Sequence, residues 1–280
     1  MHSPLEIAKY YIDIGIHKTM LSAFKMVLLG FFAGMFIAFA GIASTTASST
    51  IAIASVAKLV GAIIFPAGMA MVLIAGSELF TGNNLIIISV LEKKVTVAKM
   101  FKNWFFVYIG NFLGTLFVAL LVTYGHTPDL FGENLAQAIV NAGASRTGLS
   151  FADSLIRGIL CNILVCLAVW MSFASKTVSG KLMISFWPVM LFVLCGFEHS
   201  IADMYFCLCA LFTSAEYGIT ADTLTWGNFI THNLIPVTIG NLIGGVGIGF
   251  GYWLAYLHQT PYTHTSVESE QEDIDIAEEY

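Results

Sequence analysis

Four stretches of the chain, roughly residues 24–43, 104–124, 155–175 and 234–257, are mostly apolar. Each has about the 20 residues that a bilayer-spanning helix needs. Two further apolar stretches, roughly 51–91 and 182–213, are too long for one helix, and each is interrupted midway. The first carries Ser77-Glu78-Leu79-Phe80-Thr81-Gly82 and the second Gly196-Phe197-Glu198-His199-Ser200. The first 20 residues follow another rule. Ser3-Pro4-Leu5-Glu6 combines an N-cap serine, a first-turn proline and a capping-box glutamate. Leu5, Ala8, Tyr11, Ile12 and Ile16 then share one face, which predicts an amphipathic helix over 1–20 lying along the membrane interface.

The basic residues decide whether each overlong stretch crosses once or twice. Lys and Arg favour the cytoplasmic side. With single crossings, Lys9, Lys18, Lys25, Lys93, Lys94, Lys99, Lys102, Lys176 and Lys181 all fall on one side. Arg146, with Lys58 and Arg157 near span ends, falls on the other. Nine against three is a clear bias, and counting either stretch twice scatters it. The expectation is six crossings with both termini cytoplasmic.

The chain also repeats. Asn103, Val107, Ile109, Gly110, Asn111 and Gly114 recur as Asn233, Val237, Ile239, Gly240, Asn241 and Gly244, six identities at an offset of 130. Glu78 and Glu198, one per interruption, lie 120 apart. Three spans per half is an odd number, so the halves, about 21–125 and 150–258, are expected to be inverted. Inverted repeats with a broken helix in each half are a transport architecture with the substrate path at the midplane. Small-residue patterns alone serve helix packing, but packing does not require matched polar interruptions.

Composition agrees: 57% of residues are hydrophobic, 11% are charged and the mean hydropathy is +0.81. Soluble domains carry about 25% charged residues. The net charge of −6 resides mainly in the tail, where residues 261–280 hold seven acidic side chains and no Lys or Arg. A disordered acidic tail over 259–280 is expected. Cys161, Cys166, Cys195, Cys207 and Cys209 lie in apolar stretches without metal spacing or paired loop positions, and read as packing residues.

Non-helical backbone survives at membrane depth only inside protein or along a wet cavity. The breaks therefore mark the chemistry. Exposed helix ends offer N–H groups to anions. Thr81 adds a hydroxyl, and His199 can donate, accept or carry a proton near neutral pH. Intramembrane ionisable groups are costly and default to functional hypotheses, which puts His199 on the pathway. Glu78 and Glu198 are expected to be structural, satisfying backbone N–H groups of their own broken segments.

Gly196-Phe-Glu-His-Ser-Ile-Ala-Asp203-Met204 and Gly76-Ser-Glu-Leu-Phe-Thr81-Gly82 resemble the formate/nitrite transporter family, particularly its formate-channel branch. Cys161-Asn162-Ile-Leu-Val165-Cys-Leu-Ala-Val-Trp-Met171 and Asn233-Leu-Ile-Pro-Val-Thr-Ile-Gly-Asn241 extend the resemblance over roughly residues 5–257. It implies a homopentamer of all-α, aquaporin-like six-helix protomers, each with its own pore in the cell membrane. His199 corresponds to the family's central histidine and Thr81 to the loop threonine facing it, and Asn162 matches a pore asparagine. Apolar constrictions map to Phe65, Val165 and Phe192, and to Met69, Leu79 and Phe80. Two departures stand out. Arg146 aligns with an outer-vestibule lysine, and keeps the anion-attracting charge without lysine's readiness to give up a proton. Asp203 stands where the family commonly has Asn.

The expected function is passive or proton-linked passage of a small monovalent weak-acid anion, with formate favoured over nitrite or hydrosulfide. A bare carboxylate in an apolar slit is far costlier than a neutral acid. The expected course is that Arg146 draws the anion in and Thr81 and His199 bind it. A proton then passes to it, directly or through water. A membrane enzyme is the rival from another class, but no HExxH pair, G-x-S-x-G elbow or cofactor fingerprint is found. An aquaporin lacks its Asn-Pro-Ala pair here. No cofactor, metal or nucleic-acid partner is expected.

Overall fold

The computed structural model describes residues 1–258, and the acidic tail expected over 259–280 lies outside them. Among the described residues every regular element is helical. Helix α1 (Pro4–Met20) opens with the capping box read from the sequence, Ser3 and Glu6 bonding reciprocally. Its buried face is Ile7, Ala8, Tyr11, Ile12, Gly15 and Thr19. Ser22 caps α2 (Ala23–Ser48), the first crossing. The second begins as α3 (Ala54–Ile64) and α4 (Pro66–Ala75), which join at Phe65–Pro66, where the ring removes an N–H. It breaks at Gly76, whose φ of +79° ends the helix. The chain resumes as a 3₁₀ turn, Gly82–Ile86, and α5 (Ile87–Leu91). Helix α6 (Val97–Tyr124) is the third crossing.

The second half runs likewise. Helix α7 (Asn134–Thr147) precedes α8 (Phe151–Ser172), which Ser150 caps. Helix α9 (Val178–Leu194) leads to the second break, where Gly196 has φ +70°, and α10 (Ser200–Tyr217) leaves it. A short α11 (Trp226–Asn228) passes through a π-helical turn, Phe229–Leu234, into α12 (Ile235–Tyr256). Among the described residues, five segments are long and apolar enough to cross a membrane alone. Helices α9 and α10, joined through the break, supply the sixth crossing. Large apolar side chains such as Phe24, Phe105, Phe117, Ile156 and Leu254 remain exposed, as bilayer contact requires.

The two halves agree residue by residue. α2 packs on α6 and α8 on α12, the two most extensive helix contacts. At the first crossing a Cβ on Gly110 would overlap the Val27 carbonyl, and at the second a Cβ on Gly240 would overlap that of Leu155. Only glycine allows backbones this close. The correspondence also reaches further than the halves expected from sequence. Gly15, Thr19, Leu21, Ser22 and Gly30 recur as Gly143, Thr147, Leu149, Ser150 and Gly158, a constant offset of 128. The Thr19 hydroxyl bonds the Gly15 carbonyl, and that of Thr147 bonds the Gly143 carbonyl. Helix α1 is therefore the counterpart of α7 and not an appendage to the first half. Three crossings separate them, which places α1 and α7 on opposite faces.

Candidate pore and vestibule

Each break is pinned by an asparagine of the last crossing in its half, Asn111 on α6 and Asn241 on α12. Asn111 Oδ1 accepts from the Phe80 N–H at 2.9 Å, while its amide donates to the carbonyls of Gly30 and Glu78. Asn241 Oδ1 accepts from the Ser200 N–H at 2.9 Å, and its amide donates to the carbonyls of Gly158 and Glu198. One buried amide thus satisfies two backbone groups that the break leaves open and ties them to a carbonyl of the neighbouring helix, α2 or α8. Glu78 and Glu198 do not satisfy those N–H groups, contrary to the expectation from sequence. Glu78 binds the Lys18 ammonium at 2.7 Å and the Asn83 amide at 2.6 Å. Glu198 faces the Arg146 guanidinium, its Oε2 lying 3.6 Å from Nε.

The breaks meet at Thr81 and His199. The Thr81 hydroxyl lies 2.8 Å from His199 Nε2, and both residues are buried. His199 is also the N-cap of α10, its Nδ1 accepting from the Ala202 N–H at 3.1 Å. An acceptor Nδ1 carries no proton, so the neutral ring has its N–H on Nε2, directed at Thr81. A second proton would set Nδ1–H against the Ala202 N–H and lose the cap. The His199 ring lies nearly parallel to that of Phe192, with centroids 5.9 Å apart.

Two cavities adjoin His199. A small one of about 10 Å³ is lined by Ile37, Phe65, Met69, Leu79, Val165, Val189, Phe192 and His199. This is close to the least volume that holds one water molecule, so the midplane is a closed apolar slit. A large one of about 720 Å³ opens on the α7 face, with Phe65, Phe192 and His199 at its floor. Lys58, Arg146, Arg157, Glu198 and Asp203 are among its lining residues.

Of the constriction residues expected from sequence, Phe65, Met69, Leu79, Val165 and Phe192 line the slit. Phe80 does not. Its ring packs on Tyr108, centroids 4.8 Å apart, and on Trp104. Asn162, expected to touch substrate, is fully buried behind the loop. Its amide donates to the carbonyls of Thr81 and Asn241 and to Asn84 Oδ1, so it positions Thr81 from outside the slit. Cys166 donates to the same Thr81 carbonyl.

Arg146 lines the vestibule but is heavily engaged. Its Nε donates to Asp203 Oδ1 at 3.0 Å, Nη1 donates to the Ala142 carbonyl at 2.6 Å, and the guanidinium lies 3.9 Å above the Phe206 ring. Asp203 Oδ2 accepts from Asn233, which lies within the π-helical turn. Ile37 and Val189 also line the slit, and nothing in the sequence marks them, for they look like any span residue. Lys58 and Arg157, which the sequence shows only as charges near span ends, line the vestibule. Asn111 and Asn241 carried a signal in their recurrence at one offset. Cys161, Cys166, Cys207 and Cys209 are buried as expected, whereas Cys195 is exposed. Among the described residues no cluster of three metal-ligating side chains occurs.

Six crossings, two breaks that meet at a polar pair, and a vestibule above an apolar slit define a helical membrane channel or transporter. Comparison with known proteins gives the family. The formate/nitrite transporter family model matches residues 5–254, and the chain belongs to that family. The formate channel FocA of Escherichia coli K12 is 36% identical over 278 residues, covering 92% of this chain and 96% of FocA. The FocA of Haemophilus influenzae is 35% identical, covering 92% and 95%. A solved pentameric formate channel with formate bound superposes with a TM-score of 0.75 at 34% identity, covering 84% of this chain and 98% of that one.

Proposed function

We propose that the protein carries formate, or a weak-acid anion of similar size, through the slit between Thr81 and His199 in each protomer of a homopentamer. The single observation behind this reading is the Thr81–His199 pair at 2.8 Å, whose His199 lines both the wide vestibule and the small apolar slit. The relatives named as formate channels, and the pentameric assembly named for the solved structure, support the substrate and the oligomer. The bias of nine basic residues to the α1 face favours a cell-membrane topology with both termini cytoplasmic.

A carboxylate entering the slit loses its hydration and meets few compensating groups, so passage as the neutral acid is greatly favoured. With His199 capping α10 through Nδ1, Nε2 serves best as a hydrogen-bond donor to the anion, sharing that task with the Thr81 hydroxyl. The proton that neutralises the anion then comes from the aqueous vestibule and not from the imidazole. Nitrite and hydrosulfide have the same charge and similar size, and compete for the same pair.

Liposomes containing the purified protein test the reading. Saturable formate uptake, accelerated by an inward proton gradient and absent from protein-free liposomes, is the expected result. If formate, nitrite and hydrosulfide all enter no faster than in protein-free liposomes, the reading fails.

A further inference from the structure

The inverted repeat separates cations that hold the fold from cations that do not. Lys18 and Arg146 occupy equivalent positions, offset by 128, on the equivalent helices α1 and α7. Each meets the glutamate of its own break: Lys18 meets Glu78 at 2.7 Å, and Arg146 meets Glu198 at 3.6 Å. The surrounding groups match as well. Asn83 and Asn103 beside Glu78 correspond to Asp203 and Asn233 beside Glu198. Lys18 lies on the face opposite the vestibule, so a cation at this position answers a need common to both halves. That need is to neutralise a buried glutamate at a broken helix.

Arg146 is also more than neutralised. Two carboxylates, Glu198 and Asp203, converge on its Nε, so with both ionised the cluster carries one negative charge. A passing anion gains nothing from it at long range. The vestibule nonetheless contains two more cations. Arg157 lines it from α8, and the position equivalent to Arg157 in the first half is Leu29. The backbone duty is identical at both, since the carbonyl of Leu29 accepts from the Glu78 N–H and that of Arg157 from the Glu198 N–H. The fold therefore needs the backbone at this position and has no use for the charge. Lys58 lines the vestibule from α3, its Nζ 4.0 Å from where a Cβ on Gly196 would stand. Arg146, Glu198 and Arg157 are its charged neighbours. No carboxylate lies within 4.0 Å of either Lys58 or Arg157 among the described residues.

We infer that Lys58 and Arg157, and not Arg146, form the anion-capture site of this vestibule, with Arg146 a positioning residue for the second break. This rests on the reading that the protein carries a small anion. Three cations against two carboxylates leave the vestibule with one net positive charge, and Lys58 and Arg157 hold it.

The test compares Arg157→Leu, which installs the residue of the equivalent position, Lys58→Met and their combination in proteoliposomes. Formate and nitrite uptake is measured against concentration at low and at high ionic strength. At low ionic strength each single variant is expected to raise the half-saturating concentration about threefold and the double variant about tenfold, with a smaller effect on the maximal rate. The difference from wild type should shrink at molar salt, where the Debye length falls to about 3 Å. Arg157→Lys should restore capture. Arg146→Met should instead lower the thermal stability of the assembled protein, which the other variants leave intact. A double variant with the wild-type half-saturating concentration at low ionic strength overturns the inference. A wild-type protein that carries neither anion overturns the transport reading beneath it.

Discussion

The hydroxyls of Tyr108 and Thr238 lie 2.8 Å apart, and the two residues are 130 apart in the chain, at the same position of α6 and α12. A residue that bonds its own counterpart lies on the pseudo-two-fold axis relating the halves. The bond therefore ties the two repeats together where they meet. Tyr108→Phe and Thr238→Val should each destabilise the protein by about 1 kcal/mol, the usual net worth of one hydrogen bond. The double variant should be hardly worse than either single one, because both remove the same bond. Thermal unfolding of the purified protein in detergent would show this, and simple additivity would argue that the contact is idle.

Asn241 bonds two backbone groups of the second break and one carbonyl of α8, and Asn111 two of the first break and one carbonyl of α2. Replacing either by Leu strands buried donors and acceptors at about 1–3 kcal/mol for each group. Both variants should fail to yield a stable assembled protein, and by a similar margin. The yield of oligomer on size-exclusion chromatography checks this. An assembled Asn241→Leu protein with wild-type stability would show that another group holds the break.

His199 performs two tasks with two nitrogens: Nδ1 caps α10 and Nε2 faces Thr81. His199→Asn retains a capping oxygen and an amide donor. It should therefore assemble and take up formate more slowly, by about tenfold, while still responding to an inward proton gradient. His199→Phe retains neither group, and should lose most uptake and some stability. If His199→Asn transports well but has lost its response to the proton gradient, the imidazole passes the proton after all.

The Thr81 hydroxyl is the other half of that pair, and its backbone is held independently by Asn162 and Cys166. Thr81→Val preserves shape and removes the hydroxyl, so uptake should fall about tenfold without loss of assembly. Thr81→Ser should recover most of it. Equal uptake by Val and Thr at this position would mean that the hydroxyl does not contact the anion.

At the start of α1, Glu6 accepts from the Ser3 backbone N–H and holds its carboxyl below the usual glutamate range, with the Ser3 side chain contributing next. A depressed carboxyl pKa contributes to helix stability above its unfolded value, about 4.3. The contribution fades as pH falls through the lower folded value. Amide exchange in the first turn of α1 should therefore quicken relative to the rest of the helix as pH drops below about 4, and Glu6→Gln, which removes the titrating carboxyl, should abolish that dependence. A first turn whose relative exchange ignores pH would rule out the capping box as its anchor.

Much of this architecture is legible in hydropathy. The six crossings, the positions of both breaks and the capping box of α1 follow from local rules: apolar length, polar interruption, and Ser-x-x-Glu before an apolar face. The inverted relation of the halves follows from a recurring Asn-Gly pattern and an odd number of spans. The extension of the repeat to α1 and α7 is also written in the chain, as Gly15, Thr19 and Ser22 against Gly143, Thr147 and Ser150. It is easily missed, because the connecting loops differ in length and shift the offset from 128 to 120 and then 130.

Which side chain faces the slit is a different kind of question. Phe80 and Leu79 are adjacent, equally apolar and equally buried, yet only Leu79 reaches the slit while Phe80 packs on Tyr108. No local rule separates them, because a break has no periodicity. Asn162 and His199 are both polar and buried, yet one braces a loop from behind and the other lines the slit. Arg146 has the charge of an anion attractor, and only the convergence of Glu198 and Asp203 from elsewhere in the chain consumes that charge. The sequence by itself determined a six-span inverted repeat broken at two polar points, since bilayer thickness and backbone hydrogen bonding leave few alternatives. Tertiary structure decided which residues of those breaks meet, which are braced and which cations remain unpaired, because those outcomes depend on groups more than a hundred residues apart.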